Sequence, residues 1–353
     1  MYLKHFNLTA QPFRLTPDIG FLFMSEAHTR AKAYMDYTVW NREGFVVITG
    51  EIGCGKTTLI QKLLSELDEH VVRAKIFQTQ LDEVEFLQAV LVEFGLKPFN
   101  ARKVELLDML NTFLIEQFVQ GKQIVLIVDD AHNLGSKVLE EIRMLAGLET
   151  RKEKILHVIL VGQPQLNDIL DQPNLEQLTQ RIKLRYHIRT LSEAELGQYI
   201  FHRLRAAGAK NQTLFLPDAL PVIHKYAGGV PRLINTLCDA ALTCAYADNF
   251  SEVTANVVET GANELQWPPY AERMEERRLK NLEGTAGDSV QTMLLQQAQI
   301  LAGIAQQVSS LEELPATVAS MGKALAAIEI HLRDLARGQG TSGATVDRRR
   351  KAG

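Results

Sequence analysis

Eight residues, Gly50-Glu51-Ile52-Gly53-Cys54-Gly55-Lys56-Thr57, follow the apolar run Phe45-Val46-Val47-Ile48. The pattern Gly-x-x-x-x-Gly-Lys-Thr, after a strand and before a helix, suits the holding of a chain of phosphates. Glycine at the turning points lets backbone N–H groups curl around the anion. Lys56 reaches the outer phosphates and Thr57 offers its hydroxyl to Mg²⁺, while a helix starting near Lys56 turns its positive end toward the same charge. Glu51, Ile52, Cys54 and Thr58 complete the candidate nucleotide-contacting loop. A second element is Ile124-Val125-Leu126-Ile127-Val128-Asp129-Asp130, an apolar strand ending in two acids. A buried strand aims such end residues at the sheet edge where the phosphate loop also sits. Asp129 then holds Mg²⁺, and Asp130 polarises the attacking water.

Further polar groups stand where strands and helices end. Gln163 closes the run Leu156–Val161 and is placed to orient water or touch a γ-phosphate. Arg181, just before the apolar segment Ile182–Ile188, is a candidate arginine finger for a neighbouring subunit, with the mid-strand Arg185 as its competitor. Arg232 follows Gly228-Gly229-Val230-Pro231 and can reach back to the phosphates, and His132 follows the acids as a loop cap or a contact to substrate-side water or the next subunit. The histidines show no metal-ligand spacing, and Cys54, Cys238 and Cys244 form neither a metal pair nor a disulfide framework.

Positioning these groups requires alternating strands and helices. Strands are expected at Phe45–Thr49, Val71–Phe77, Ile124–Asp129, Leu156–Val161 and Ile182–Ile188. Helices are expected near Ser25–Trp40, Lys56–Leu67, Glu83–Phe94, Lys103–Phe118, Ser136–Leu145 and Gln165–Leu170. Short apolar strands separated by helices argue for an α/β fold with a parallel five-stranded sheet covered on both faces. An irregular apolar strap over Phe6–Phe23 precedes it. We group residues 1–190 as strap and nucleotide-binding core, and 191–265 as a helical lid. The lid opens on the capping box Ser192-Glu193-Ala194-Glu195, with Pro217 and Pro231 each read at a first helical turn. A linker over 266–289 leads to an amphipathic helix over 290–336. Its apolar residues, among them Leu301, Val308, Leu311, Leu314, Val318, Met321, Leu325, Ile328, Leu332 and Leu335, step by three and four, the mark of coiled-coil pairing with a break at Pro315. Residues 337–353 read as a disordered tail.

Bulk properties narrow the class. The hydrophobic fraction of 46% and charged fraction of 23% are those of a soluble protein, and a net charge of −4 argues against a surface-wide attraction to nucleic acid. No apolar stretch reaches a membrane span, and the first residues lack a signal-peptide pattern, so the expected location is a reducing cytoplasm.

The opening Met1-Tyr2 with Phe6, Leu8, Pro12-Phe13, Pro17-Asp18 and Phe21-Leu22 carries a family resemblance, together with the blocks Gly44–Thr58, Leu126–Leu134, Leu160–Leu166 and Gly228–Asn235. In these the chain resembles the AAA+ ATPases of the ExeA/general secretion pathway protein A family, most of all those associated with exosortase and exopolysaccharide gene clusters. The resemblance covers about residues 1–265. It implies a P-loop AAA+ core and lid, ATP with Mg²⁺, and a homo-oligomer, ring or filament, that brings Arg181 to the adjacent subunit's site. It further implies a motor or switch role in assembling an envelope polysaccharide or protein export system, with peripheral contact at the inner membrane. Secretion-type members often continue into a membrane helix and a peptidoglycan-binding module; neither is read here, which leaves the heptad helix as the protein-partner element. Two alternatives stand beside it: a DNA-associated ATPase like the related transposition regulators, and a slowly hydrolysing ATP-gated scaffold. The family usually has Glu where Asp130 stands, and the missing methylene sets the carboxylate about 1–1.5 Å short, which predicts slow hydrolysis.

Overall fold

The computed structural model describes residues 2–41, 43–98, 101–149, 153–210, 213–279 and 316–338, and the chain separates into two compact units, Met1–Tyr270 and Ala271–Gly353. The first unit begins with a single turn, α1 (Tyr2–His5), then α2 (Glu26–Trp40), β1 (Phe45–Gly50), α3 (Lys56–Glu66), β2 (Val71–Ile76), α4 (Glu83–Glu93), α5 (Lys103–Val119) and β3 (Gln123–Val128). There follow α6 (Ser136–Leu145), β4 (Leu156–Gly162), α7 (Gln165–Leu170), a short α8 (Glu176–Thr179) and β5 (Ile182–Ile188). The lid contains α9 (Glu193–Ala206), α10 (Ala219–Ala227), α11 (Pro231–Ala247) and α12 (Ala255–Glu264). All strand pairings are parallel, in the order β2-β3-β4-β1-β5.

Period-two alternation divides the sheet's side chains between two cores. Val47, Leu126, Val128, Val158 and Leu160 face α4, α5 and α6, whereas Val46, Ile48, Val125, Ile127, Ile159 and Val161 face α2 and α3. Buried on both faces, β1, β3 and β4 need no polar alternation, and their near-continuous apolar runs follow. The edge strand β5 instead alternates half-buried and exposed residues.

Local signals set the helix ends. Ser25 caps α2, Asp82 and Glu85 form a capping box on α4, and Ser192 with Glu195 forms another on α9. Pro231 stands at the first turn of α11 as expected, but Pro217 does not open α10. That helix starts at Ala219 with Asp218 as its cap, so Pro217 lies just ahead of the cap and outside the first turn. Gly229 adopts φ +73°, and a Cβ there would fall 2.0 Å from the Leu191 carbonyl, so the turn into α11 closes against the start of the lid only with glycine.

The strap corrects the expected grouping. Tyr2, Phe6, Leu8, Phe13 and Phe21 are buried in one cluster with the lid's Leu196, Ile200, Leu237 and Cys238, so the N-terminal segment is packed as part of the lid rather than of the sheet. Phe13 meets Phe215 edge-to-face at 5.7 Å, and Arg203 of α9 donates to the Pro12 and Arg14 carbonyls at 2.6 and 3.0 Å.

In the second unit α13 (Ala316–Gly338) runs two residues past the expected end of the heptad helix, and residues up to 279 continue a helix that starts at 270, within the expected linker. Along α13 the seam residue Ile328 is 49% exposed, while Leu325 and Leu332 are half-buried. The upstream part of the heptad pattern, Leu301 to Leu314, and the tail 339–353 lie outside the described residues.

Because Phe13 is 1% exposed within the lid cluster, Phe13→Ala is expected to cost about 3–5 kcal/mol of unfolding free energy, read from the denaturant midpoint. A loss below about 1 kcal/mol would mean that the strap is not part of the lid's core.

Candidate functional site

Sheet register brings the chemistry to one edge. Thr49 of β1 pairs with Gly162 of β4, and Val128 of β3 pairs with Leu160, so Gly50, Asp129 and Gln163 leave three neighbouring strands side by side. Above them lies a cleft of about 510 Å³ between sheet and lid, lined by the loop Ile52–Thr58, by Asp130, Gln163 and Arg232, and by strap residues from Arg14 to Phe23.

Within the loop, Gly53 and Gly55 have φ of +84° and +97°, which L side chains rarely adopt. Lys56, 8% exposed, donates to the Gly50 carbonyl at 2.8 Å and the Glu51 carbonyl at 3.0 Å. Thr57 Oγ1 donates to Asp129 Oδ2 at 2.9 Å. Asp129 is 3% exposed, and burial raises its pKa above the usual carboxylate range, with the Thr57 hydrogen bond opposing the shift. A hydroxyl and a carboxylate converging at the mouth of a phosphate loop fit Mg²⁺, a hard ion that takes one or two protein oxygens and fills its remaining positions with phosphate and water. Among the described residues no three His, Cys, Asp or Glu side chains cluster as an all-protein metal cage would.

Asp130 adopts φ +50°, in the left-handed region that Asp tolerates better than longer side chains, and its carboxylate is 54% exposed at the cleft. The backbone thus supplies its own reason for a short acid at this position. Gln163 reaches the cleft as expected, but its amide also meets His132 Nε2 at 2.7 Å, and its backbone N–H points to His132 Nδ1 at 3.4 Å. The backbone N–H on Nδ1 makes that nitrogen the acceptor, so Nε2 carries the ring proton and the Gln163 side-chain oxygen is the group that accepts it. Burial lowers the pKa of His132, whose Nδ1 lies 4.0 Å from Asp130 Oδ1.

Arg232 joins the site through its backbone as well as its position. Its N–H donates to the Gly53 carbonyl at 3.1 Å, and a Cβ on Gly53 would lie 2.4 Å from the Arg232 Cβ. Lid helix α11 therefore rests on the loop at a spot open only to glycine. Arg181 does not line this cleft. Its guanidinium donates to the Arg143 carbonyl at 2.8 Å, at the C-terminal end of α6 where the helix dipole favours a cation. Arg185 pairs with Asp171 at 2.9 Å and contacts Thr179.

Two groups at the cleft escape the sequence reading. His28 of α2 is 3% exposed, with Nε2 2.8 Å from the Cys54 carbonyl and Nδ1 2.7 Å from Ser25 Oγ. A carbonyl only accepts, so Nε2 carries the proton, Nδ1 accepts, and the Ser25 hydroxyl donates. Burial lowers the pKa of His28, which keeps the ring neutral. The spacing Ser25-x-x-His28 reads in sequence only as a helix cap. Arg203 is the second, a cation within the stripe Leu196, Tyr199, Ile200, Leu204 of α9, and that misfit was its one signal. It lies 5.0 Å from the Phe21 ring centroid on the strap, which also lines the cleft.

The Gly53 contact yields a test. Gly53→Ala is expected to cost about 1–2 kcal/mol from φ alone and to weaken nucleotide binding by displacing α11. Unchanged denaturation and unchanged ADP binding would show that the lid does not bear on the loop.

Comparison with known proteins agrees with this geometry. A family profile described as "AAA domain" matches residues 40–170. Over 266 residues the chain is 40% identical to general secretion pathway protein A of Aeromonas hydrophila, covering 75% of this chain and 48% of that protein. The chain thus spans about half the length of that relative. Among solved structures, Cdc6p from Pyrobaculum aerophilum is similar at TM-score 0.54 and 14% identity, covering 73% of this chain and 71% of that one. The ORC2 protein of Aeropyrum pernix is similar at TM-score 0.51 and 18% identity, covering 68% and 66%. At these identities the likeness is one of fold. With the phosphate loop, the paired acids and the lid in this arrangement, and with that secretion-pathway relative, the chain belongs to the AAA+ P-loop ATPases related to general secretion pathway protein A.

Proposed function

We propose that the protein binds Mg-ATP in the cleft between sheet and lid, hydrolyses it slowly, and works as an oligomeric switch or motor in assembling an envelope export system for polysaccharide or protein. The observation that carries the reading is the meeting of Lys56, Thr57, Asp129, Asp130, Gln163 and Arg232 at one cleft. The 40% identity to general secretion pathway protein A supports the export setting. No helix among the described residues is long and apolar enough to cross a membrane, which fits cytoplasmic work with peripheral contact at the inner membrane.

In this reading Lys56 leaves the Gly50 and Glu51 carbonyls for the outer phosphate oxygens, a stronger, charge-assisted pairing. Residues Gly50 to Thr58 wrap the phosphate chain with backbone N–H groups. Thr57 and Asp129 would hold Mg²⁺, which when bound would offset charge on the terminal phosphates. Asp130 accepts a proton from the attacking water, Gln163 orients that water, and Arg232 approaches the phosphates from the lid. Arg181 acts on the nucleotide of a neighbouring copy, while Arg185, held by Asp171, stays structural. The exposed face of α13 pairs with a protein partner. A net charge of −4 favours this over a DNA-bound role, and tight DNA binding at physiological salt in a gel shift would reverse that preference.

Turnover measurements test the roles. Lys56→Ala should weaken ATP binding about 10–100-fold, the worth of a lost charge-assisted bond. Asp130→Glu should raise turnover, by up to about 100-fold if reach is the limit; no rise would assign the short acid to the φ +50° backbone instead. Arg181→Ala should lower hydrolysis about 10³-fold with binding intact. Mixing it with Lys56→Ala should restore part of the activity through hybrid oligomers, and no recovery from the mixture would remove the trans role.

A further inference from the structure

We infer that His28 is a positioning residue for phosphate binding: by holding the Cys54 carbonyl it aims the Gly55 N–H into the phosphate cradle. The inference rests on the nucleotide reading of the loop and assigns the group that sets the loop's geometry.

Cys54 lies between Gly53 and Gly55, both at positive φ. Two glycines make this the softest part of the loop, so its peptide planes have to be oriented from outside. The described peptide bonds include no cis form, and in a trans unit the C=O and the N–H point in opposite directions. Fixing the Cys54 oxygen on one side therefore fixes the Gly55 N–H on the other. Were this plane to flip, it would present a carbonyl dipole to the phosphates in place of a donor.

Two outside groups take consecutive carbonyls of the loop. The Arg232 N–H takes Gly53 from the lid side, and His28 Nε2–H takes Cys54 from α2. The ring cannot turn to another partner, because Ser25 donates to its other nitrogen and the ring lies against Gly55, where a Cβ would come within 3.1 Å of Nε2. Ser25 also caps α2 through the His28 N–H at 3.3 Å, so the start of α2 and the phosphate loop form one hydrogen-bonded unit. A donor already oriented costs nothing to arrange when the anion arrives, which is how preorganisation raises affinity.

The test compares His28→Ala, His28→Asn and His28→Gln in the full chain, measuring the Kd of a fluorescent ADP analogue and the thermal midpoint of each. The terminal amide of Gln reaches about where Nε2 lies, whereas that of Asn falls near Nδ1. Ala and Asn are expected to bind about 10–100-fold more weakly, with Gln returning to within about threefold of wild type. If Ala does not fold, the contrast between Asn and Gln decides. Wild-type affinity in Asn overturns the inference, as does a loss in Gln that follows its thermal midpoint and equals that of Asn, since that marks a packing role alone. If the wild-type chain binds no ADP, the nucleotide reading itself fails, and that outcome is distinct from the other two.

Discussion

A buried ammonium needs oxygen around it. Lys56 satisfies this with two carbonyls of its own loop, Gly50 and Glu51, while 8% of the residue remains exposed. An unpaired charge at that depth would cost several kcal/mol, and neutral dipoles compensate it only in part. The same position that makes the lysine costly makes it a strong receptor for a polyanion. The placing of Lys56 in turn depends on β1 ending at Gly50 and α3 starting at Lys56, with a strand on each side of β1 to hold that end in place.

The lid and the sheet meet at this loop from several directions. Arg232 sits on Gly53, and Arg189, just past β5, pairs with Glu195 of α9 and Glu26 of α2. The strap adds its own ties, with Phe13 and Phe21 in the lid's core and Arg203 holding the backbone at Pro12 and Arg14. A change in the loop on binding phosphate thus has short mechanical routes to the lid.

Much of this was readable in the residues, and the reasons are physical. Strands such as Ile124–Val128 are buried on both faces, so their composition alone marks them, and β5 and α7 fall at the bounds read from the sequence. Gly50–Thr57 and Asp129 stand out as candidates because phosphate and Mg²⁺ chemistry constrains residue type and spacing together, and the fold brings them to one sheet edge. Pairings across distant segments were not readable. His28 on Cys54, Arg203 on the strap and His132 on Gln163 join residues 26, 191 and 31 positions apart, and no periodicity encodes them. The strap precedes the sheet in the chain, yet its aromatic residues are buried with the lid, a partnership that no local pattern encodes. The left-handed backbone at Asp130 also lay beyond the sequence, where the short acid pointed only to reach.

In the proposed function the cleft above Gly50–Thr57 takes the phosphates of a nucleotide, and Lys56 exchanges carbonyls for phosphate oxygens. An experimental structure of the full chain with Mg²⁺ and a non-hydrolysable ATP analogue tests this most directly. The triphosphate should lie within the loop, with the Lys56 ammonium moved from the Gly50 and Glu51 carbonyls to the outer phosphates and Thr57 and Asp129 at the metal. A nucleotide bound elsewhere, or a loop in which Lys56 still holds both carbonyls beside the bound analogue, would contradict it.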